Sequence, residues 1–182
     1  MSRENPHLVA VVAIAEALPG DLCLELEALA LSAQRRAAVD GARPTDRRSA
    51  VLWPEQGAHA ALGARARSAL LALLPHVQPV YDIVVDGLEP LQLARYGVGD
   101  GYDTHIDLGP GASSRRKLSV TVQLSDGATY EGGALAFQGE PSPRRERGTA
   151  LFFPAFLPHT VRPVRAGVRC ALTGWFTGPP FR

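Results

Sequence analysis

The chain has 182 residues, enough for one domain with a substantial buried core and short for two. Hydrophobic residues make up 46% of the chain and charged residues 20%, which disfavours a disordered chain or a membrane protein. The formal net charge of +1 gives no overall attraction to nucleic acid or anionic lipid.

The first twenty residues contain an apolar run that Glu16 soon interrupts. The run is too short to span a bilayer, so it predicts an early strand or helix, and secretion is disfavoured. Cys23 and Cys170 lie far apart and outside any CxxC pair, which favours neither a disulfide framework nor a zinc ribbon. We expect a cytoplasmic protein that does not enter a membrane.

Two amphipathic helices are predicted in the N-terminal part. Leu22, Leu26 and Leu29 recur at helical spacing, which predicts a helix from Asp21 to about Val39. The segment GARPTDRR then breaks the pattern.

After a short stretch from Ala50 to Trp53, a second helix is predicted from about Glu55 to Leu74, with Pro75 ending it. Both helices are expected to support a sheet.

Most glycines and prolines follow Gly87, which predicts short strands joined by turns. Residues 118–125, LSVTVQLS, alternate between apolar and polar side chains, as a strand with one apolar and one polar face does. Leu135 and Phe137 repeat this alternation, as does the stretch from Arg169 to Phe176. The pattern predicts a closed or sandwich-like antiparallel β structure, and PSPRRERG is expected to form an exposed loop.

A candidate metal site begins with His105 and Asp107, which would share one face of a strand while Ile106 points into packing. This HxD spacing alone is weak evidence. His159, far along the chain, would complete the two histidines and one carboxylate that hold non-haem iron(II). Taken alone, His159 is equally a core histidine with a satisfied hydrogen bond.

Arg169 strengthens this interpretation, because a buried arginine needs an anion. Iron(II), Asp107 and Arg169 together balance the charge of a bound 2-oxoglutarate dianion, as a low-dielectric pocket requires. The guanidinium fork also suits a carboxylate.

Five segments resemble successive core segments of the prolyl 4-hydroxylase-like branch of the Fe(II)/2-oxoglutarate-dependent dioxygenases. They are YGVGDGYDTHID, RKLSVTVQLSD, YEGGALAF, RGTALFFPAFLPHTV and GVRCALTGWF, spanning roughly Gln92 to Pro179. The resemblance implies a mainly β fold: a double-stranded β-helix (jelly-roll, cupin-like) core with supporting N-terminal α-helices. It implies one catalytic domain over residues 1–182, with helical support at about 1–78 and a β core at about 79–178. It also implies iron(II), 2-oxoglutarate and dioxygen as reactants, with ascorbate as a stimulant.

The resemblance assigns further roles. Tyr96 would approach the co-substrate, whereas Tyr102 and Trp175 would border the substrate; a packing role is the alternative for each aromatic residue. Gln123 stands where several relatives place a tyrosine that helps bind the far carboxylate, which leaves the second anchor open. Thr173, on the same face as Arg169, is grouped with the co-substrate residues.

Another branch uses a serine at the position of Ala171, so Arg169 is expected to carry more of the binding, with Arg165 as the nearest alternative anchor.

Arg47, Arg48 and Ser49 resemble part of a lid beside the substrate cleft of prolyl hydroxylases, and an exposed basic turn is the alternative. The basic clusters at 115–117 and 144–147 are expected to be solvated faces.

The leading hypothesis is hydroxylation of an unactivated C–H bond in a prolyl-type peptide or protein, bound near Arg47, Ser49, Tyr102 and Trp175. With few insertions between the core strands, there is little material for the deep lid that a small metabolite would need. Hydroxylation of a free amino acid or natural-product scaffold is a second reading. A non-catalytic sensor or scaffold that binds metal or a small acid is a third. Nucleic-acid demethylation is disfavoured, because interleaved basic and aromatic residues are lacking.

Overall fold

The computed structural model describes residues 11–33, 46–137 and 144–180. Its helices are α1 (Gly20–Leu31) and α2 (Ala60–Tyr81). The strands in chain order are β1 (Val12–Ile14), β2 (Arg47–Arg48), β3 (Ala50–Leu52), β4 (Gly87–Leu88), β5 (Gln92–Tyr96), β6 (Gly101–His105), β7 (Arg116–Gln123), β8 (Glu131–Gly132), β9 (Leu135–Phe137), β10 (Ala150–Pro154), β11 (His159–Val161), β12 (Val164–Ala166) and β13 (Arg169–Thr177).

The strands form two main antiparallel sheets. The major sheet has seven strands in the order β1-β10-β7-β13-β5-β3, with β4 paired to β13. The minor sheet has the order β2-β6-β11-β9, and β12 pairs with β8 in a two-stranded ribbon. The mainly β architecture expected from the second half of the sequence is therefore confirmed.

The helices cover the outer face of the major sheet, as predicted. Leu22, Leu26 and Leu29 of α1 are buried in one cluster with Val120 and Val122 of β7. The alternation in β7 follows from this packing, because its apolar side chains meet the helices. Its polar side chains Ser119, Thr121 and Gln123 are also buried, so they occupy the inner face of the sheet.

The prediction that the first helix reaches Val39 is wrong, because α1 ends at Leu31. The Ser32 hydroxyl and the Ser32 N–H both donate to the Leu29 carbonyl, which closes the helix with a tight final turn. Residues 34–45, including most of GARPTDRR, lie outside the described part of the chain.

The second helix was predicted with both ends misplaced. It begins at Ala60, and it continues through Pro75 and Pro79 to Tyr81. A proline inside a helix frees the carbonyl four residues earlier. Leu71, Pro75 and Pro79 are all exposed, so water can satisfy the freed carbonyls.

Packing stabilises the last turns of α2. Val77 is fully buried, and the Tyr81 hydroxyl donates to the Phe152 carbonyl and accepts from the Val12 N–H. These contacts offset the cost of the prolines.

Two N-terminal segments join the sheets directly. Residues 12–14 of the apolar run form β1, which pairs with β10. The lid-like segment instead forms β2, which pairs with β6 through Arg47 and Tyr102. Neither described helix combines the length and apolarity of a bilayer span.

Candidate metal centre

The two histidines come from neighbouring strands of the minor sheet. His105 is the last residue of β6, and His159 is the first of β11; the two residues are direct register partners. Asp107 lies just beyond β6, where its N–H donates to the Ala155 carbonyl at 2.8 Å. Ile106 is 46% exposed, so the expectation that it points into packing is wrong. The reason is that the strand ends before it.

His105, Asp107 and His159 each offer a ligand atom, and these atoms lie within 4.8 Å of one another. Nε2 of His105 is 3.8 Å from Oδ1 of Asp107, and Nε2 of His159 is 3.6 Å from Oδ2. Two imidazoles and one carboxylate on one side of a cavity are the donor set of non-haem iron(II) sites. The residues therefore fit the predicted metal.

Backbone carbonyls fix which nitrogen each imidazole offers. Nδ1 of His105 lies 2.8 Å from the Asp103 carbonyl, and Nδ1 of His159 lies 2.9 Å from the Leu157 carbonyl. A carbonyl only accepts, so each Nδ1 carries the proton and each Nε2 keeps its lone pair for a metal. Burial, together with neighbouring His159, lowers the pKa of His105 below its usual value. His105 is therefore neutral at neutral pH.

Ser119 holds the carboxylate of the site. Its hydroxyl donates to Oδ2 of Asp107 at 2.6 Å, and the residue is fully buried on the inner face of β7. Sequence reasoning assigned Ser119 no role. The alternation placed it on the same face as Thr121 and Gln123, but its contact with Asp107 depends on the tertiary fold.

Arg169 lies at the start of β13 and is 1% exposed. Its Nη2 donates to Oε1 of Gln123 at 3.2 Å, and its Nε is buried without a partner among the described residues. Its guanidinium carbon lies 5.4 Å from the centroid of the Tyr96 ring. A buried cation with an unused donor is suited to bind a carboxylate.

One cavity joins Arg169 to the metal ligands, with an empty volume of about 430 Å³ that includes its opening to solvent. The residues predicted for the site that line it are His105, Asp107, His159, Arg169, Tyr96, Thr173, Arg47, Tyr102 and Trp175.

Four sequence-predicted residues lie elsewhere. Gln123 is not among the residues that line the cavity, but its side chain accepts a hydrogen bond from Arg169. Ser49 is buried and accepts a hydrogen bond from Arg47. Arg48 is exposed beside a different hollow, which also contains Asp103 and Arg162. Arg165 is exposed on β12, so it does not reach the cavity as an alternative anchor.

The expectation that residues 115–117 form a solvated face is wrong at Arg116. Its Nε and Nη2 donate to the two carboxylate oxygens of Glu89 at 2.9 and 2.7 Å, and its Nη1 donates to the Asp107 carbonyl at 3.2 Å. Its guanidinium carbon also lies 4.1 Å from the Trp175 ring centroid. Sequence reasoning missed this network, because its members are distant in the chain.

Gln92 was missed as well. It lines the cavity and accepts a hydrogen bond from Arg47, yet no sequence pattern distinguishes it from its neighbours.

Residues 91–177 match the family model of the 2OG-Fe(II) oxygenase superfamily. A PKHD-type hydroxylase of Synechococcus sp. (strain CC9902) is 41% identical over 86 residues, covering 46% of this chain and 39% of that protein. A PKHD-type hydroxylase of Idiomarina loihiensis is 34% identical over 121 residues, covering 62% and 55% respectively. The chain thus spans only part of the length of the curated relatives it matches.

Two solved structures share the fold. A Pseudomonas putida prolyl-4-hydroxylase has a TM-score of 0.75 at 24% identity and covers 94% of each chain. The viral collagen prolyl hydroxylase of Paramecium Bursaria Chlorella virus-1 has a TM-score of 0.73 at 19% identity, covering 97% of this chain and all of that one. The expected jelly-roll core is therefore confirmed. Residues 91–177, which contain the three candidate metal ligands and Arg169, are thus similar to the 2OG-Fe(II) oxygenase superfamily.

Proposed function

We propose that the chain is an iron(II)- and 2-oxoglutarate-dependent hydroxylase. One observation carries the proposal: His105, Asp107 and His159 share a cavity with Arg169, a buried cation without an acidic partner among the described residues. A metal-binding scaffold needs the three ligands only. Arg169 adds the site for a second, anionic reactant.

In this proposal the two Nε2 atoms and the Asp107 carboxylate hold iron(II), which would supply the dioxygen chemistry needed to oxidise a C–H bond. Ser119 keeps the carboxylate turned toward the two imidazoles. Arg169 binds the distal carboxylate of 2-oxoglutarate, with Gln123 orienting its guanidinium and Tyr96 beneath it. Thr173 lines the same cavity. Arg169, Gln123 and Tyr96 are buried, which would limit competition from water at the carboxylate anchor.

We further propose a prolyl-type peptide or protein segment as substrate. The similar proteins include PKHD-type and prolyl hydroxylases, which supports this class by analogy. Trp175 lines the cavity, and its indole N–H is buried without an acceptor among the described residues. A peptide carbonyl at the opening would satisfy that donor. Tyr102, stacked on His105, borders the same space.

The test is conversion of 2-oxoglutarate to succinate by the protein with iron(II), followed by mass spectrometry of proline-containing peptides, free proline and other free amino acids. The proposal predicts iron-dependent succinate formation and the gain of one oxygen by a peptide. Oxidation of free amino acids alone would replace the peptide with a small-molecule substrate. Metal binding without succinate formation would favour a sensor or scaffold.

A further inference from the structure

Arg47 places a second guanidinium in the cavity, beside the metal ligands. Its guanidinium carbon lies 5.1 Å from the centroid of the Tyr102 ring. The Tyr102 ring is stacked on that of His105, with 3.5 Å between the ring centroids. The cation is therefore separated from a metal ligand by one aromatic ring.

Neutral groups orient this guanidinium. Nε donates to the Ser49 hydroxyl at 2.8 Å, and Nη2 donates to Oε1 of Gln92 at 2.7 Å. Both acceptors are buried, Ser49 at 1% exposure and Gln92 at 7%. These neutral acceptors orient the guanidinium group of Arg47, but they do not neutralise its positive charge. Within residues 11–33, 46–137 and 144–180, Arg47 forms no ion pair with a carboxylate.

Arg47 and Arg169 belong to different ends of the cavity. Arg169 pairs in register with Tyr96, whereas Gln92, the partner of Arg47, pairs with Thr173. Four residues along β13 separate the two positions, roughly 13 Å at the usual rise of a strand. The two cations therefore serve different ligand groups.

The charges of the residues that line the cavity indicate which kind of ligand group Arg47 would bind. Asp107 is the acidic residue among the described groups that line the cavity, and Arg47 and Arg169 are its arginines. With a divalent metal, Asp107, Arg169 and a 2-oxoglutarate dianion in place, the charge of Arg47 remains. A half-buried cation in a cavity is stabilised by an anion in bidentate contact.

We propose that Arg47 binds a carboxylate of the substrate, next to the carbon that is oxidised. The inference rests on the proposed function and deepens it. The substrate is then an acid. Its carboxylate belongs to an Asp or Glu side chain near the target residue of a peptide, or it is the free carboxylate of an amino acid.

Direct binding tests this with the protein loaded with Zn(II), which is redox-inert, and 2-oxoglutarate. The probes are acetylated proline-centred peptides that differ only by Glu or Gln beside the proline, and L-proline paired with L-prolinamide. Calorimetry should show the acid of at least one pair binding roughly tenfold more tightly than its neutral partner, the size of one charge-assisted hydrogen bond. The favoured pair identifies the source of the carboxylate.

Arg47→Gln should abolish that difference, and Arg47→Glu should reverse it in favour of a Lys-containing peptide. Arg48→Gln is the matched control, because Arg48 is the exposed neighbour outside the cavity, and it should keep the wild-type preference. The unfolding midpoint of each variant checks its fold.

Equal binding of acid and neutral probes, binding of no acid probe, or an Arg47→Gln effect on 2-oxoglutarate alone would overturn the proposal. Succinate formation by the wild-type protein is measured separately. Its absence, with the acid preference intact, would reject the proposed hydroxylase and leave the carboxylate site standing.

Discussion

The Ser119 hydroxyl contacts Asp107 without being a candidate metal ligand, so its removal isolates the effect of orientation. In Ser119→Ala, the 2.6 Å hydrogen bond to Oδ2 is lost and the carboxylate can rotate. Groups that orient metal ligands typically contribute tenfold to a hundredfold in affinity, so we expect metal affinity to fall by roughly that factor. Titration with Zn(II) or with iron(II) under anaerobic conditions measures the change.

Ser114→Ala provides the matched control. Ser114 is exposed and donates to the Gly111 carbonyl in a turn, so this variant also loses one serine hydrogen bond. Its metal affinity should equal that of the wild type. Equal affinities in Ser119→Ala and Ser114→Ala would show that Ser119 does not position the ligand.

Arg169→Ala should weaken 2-oxoglutarate binding and leave the metal affinity nearly unchanged. A hydrogen bond to a charged group contributes about 1.5 to 3 kcal/mol, which is roughly tenfold to a hundredfold in affinity. Calorimetric titration of 2-oxoglutarate into metal-loaded protein tests this. Arg165→Ala, on the exposed edge strand β12, should bind 2-oxoglutarate as the wild type does. A normal affinity in Arg169→Ala would locate the anchor elsewhere.

Among single residues, the sequence predicted best the roles of those side chains whose combination is rare in proteins. Few kinds of protein site combine two histidines, an aspartate and an arginine. Their association could therefore be predicted from their spacing and from the family resemblance. Ser119, Gln92 and Arg116 are common residue types whose roles arise from partners distant in the chain. Only the tertiary structure reveals those partners.

At the scale of elements, the end of α2 is stabilised by its contact with the edge of the major sheet. Tyr81→Phe removes the hydroxyl that joins the Phe152 carbonyl to the Val12 N–H. We expect the free energy of unfolding to fall by about 1 to 3 kcal/mol, the usual cost of leaving such groups unpaired. Chemical denaturation measures the loss.

The same experiment has a control on the same helix. Leu71 is 43% exposed, so Leu71→Ala should change the free energy of unfolding by less than Tyr81→Phe. If Tyr81→Phe were as stable as the wild type, packing of Val77 alone would have to hold the last turns beyond Pro75.

The error at Pro75 shows what local reasoning misses. Proline predicts a helix end, because it removes a backbone donor and crowds the preceding turn. Here Leu71 and Pro75, whose carbonyls are freed, are exposed residues, and Val77 and Tyr81 contact the core beyond the break. Tertiary packing therefore overrides the local signal. The strand at residues 118–123 was predicted more reliably, because Leu118, Val120 and Val122 all lie on one face and pack in one core cluster.

At the scale of the whole molecule, the reactivity of the two cysteines measures whether the folded protein opens enough to expose its core. Cys23 and Cys170 are free and fully buried. Burial raises the pKa of the Cys23 thiol and raises that of Cys170 to about 11, so little thiolate exists at pH 8. Neither should react with a thiol reagent at pH 8 until denaturant unfolds the protein.

A Ser114→Cys variant supplies an exposed thiol as a positive control, and only this thiol should be modified in native buffer. Rapid native modification of Cys23 or Cys170 would mean that the helical layer opens away from the major sheet.

The overall architecture could be predicted from the spacing of apolar residues along the chain. This spacing changes from helical in the N-terminal part to alternating in the C-terminal part, where the strands lie. The register could not, because pairing such as that of His105 with His159 joins residues 54 positions apart. The interpretation of residues 1–182 as one catalytic domain stays a prediction.

The most direct test of the central claim is titration of iron(II), without oxygen, into the wild-type protein and into His105→Ala, Asp107→Ala and His159→Ala. We predict one high-affinity site in the wild type and a loss of more than roughly tenfold in each variant, because a three-ligand site has no spare protein ligand. Near-normal iron binding in all three variants would contradict the account.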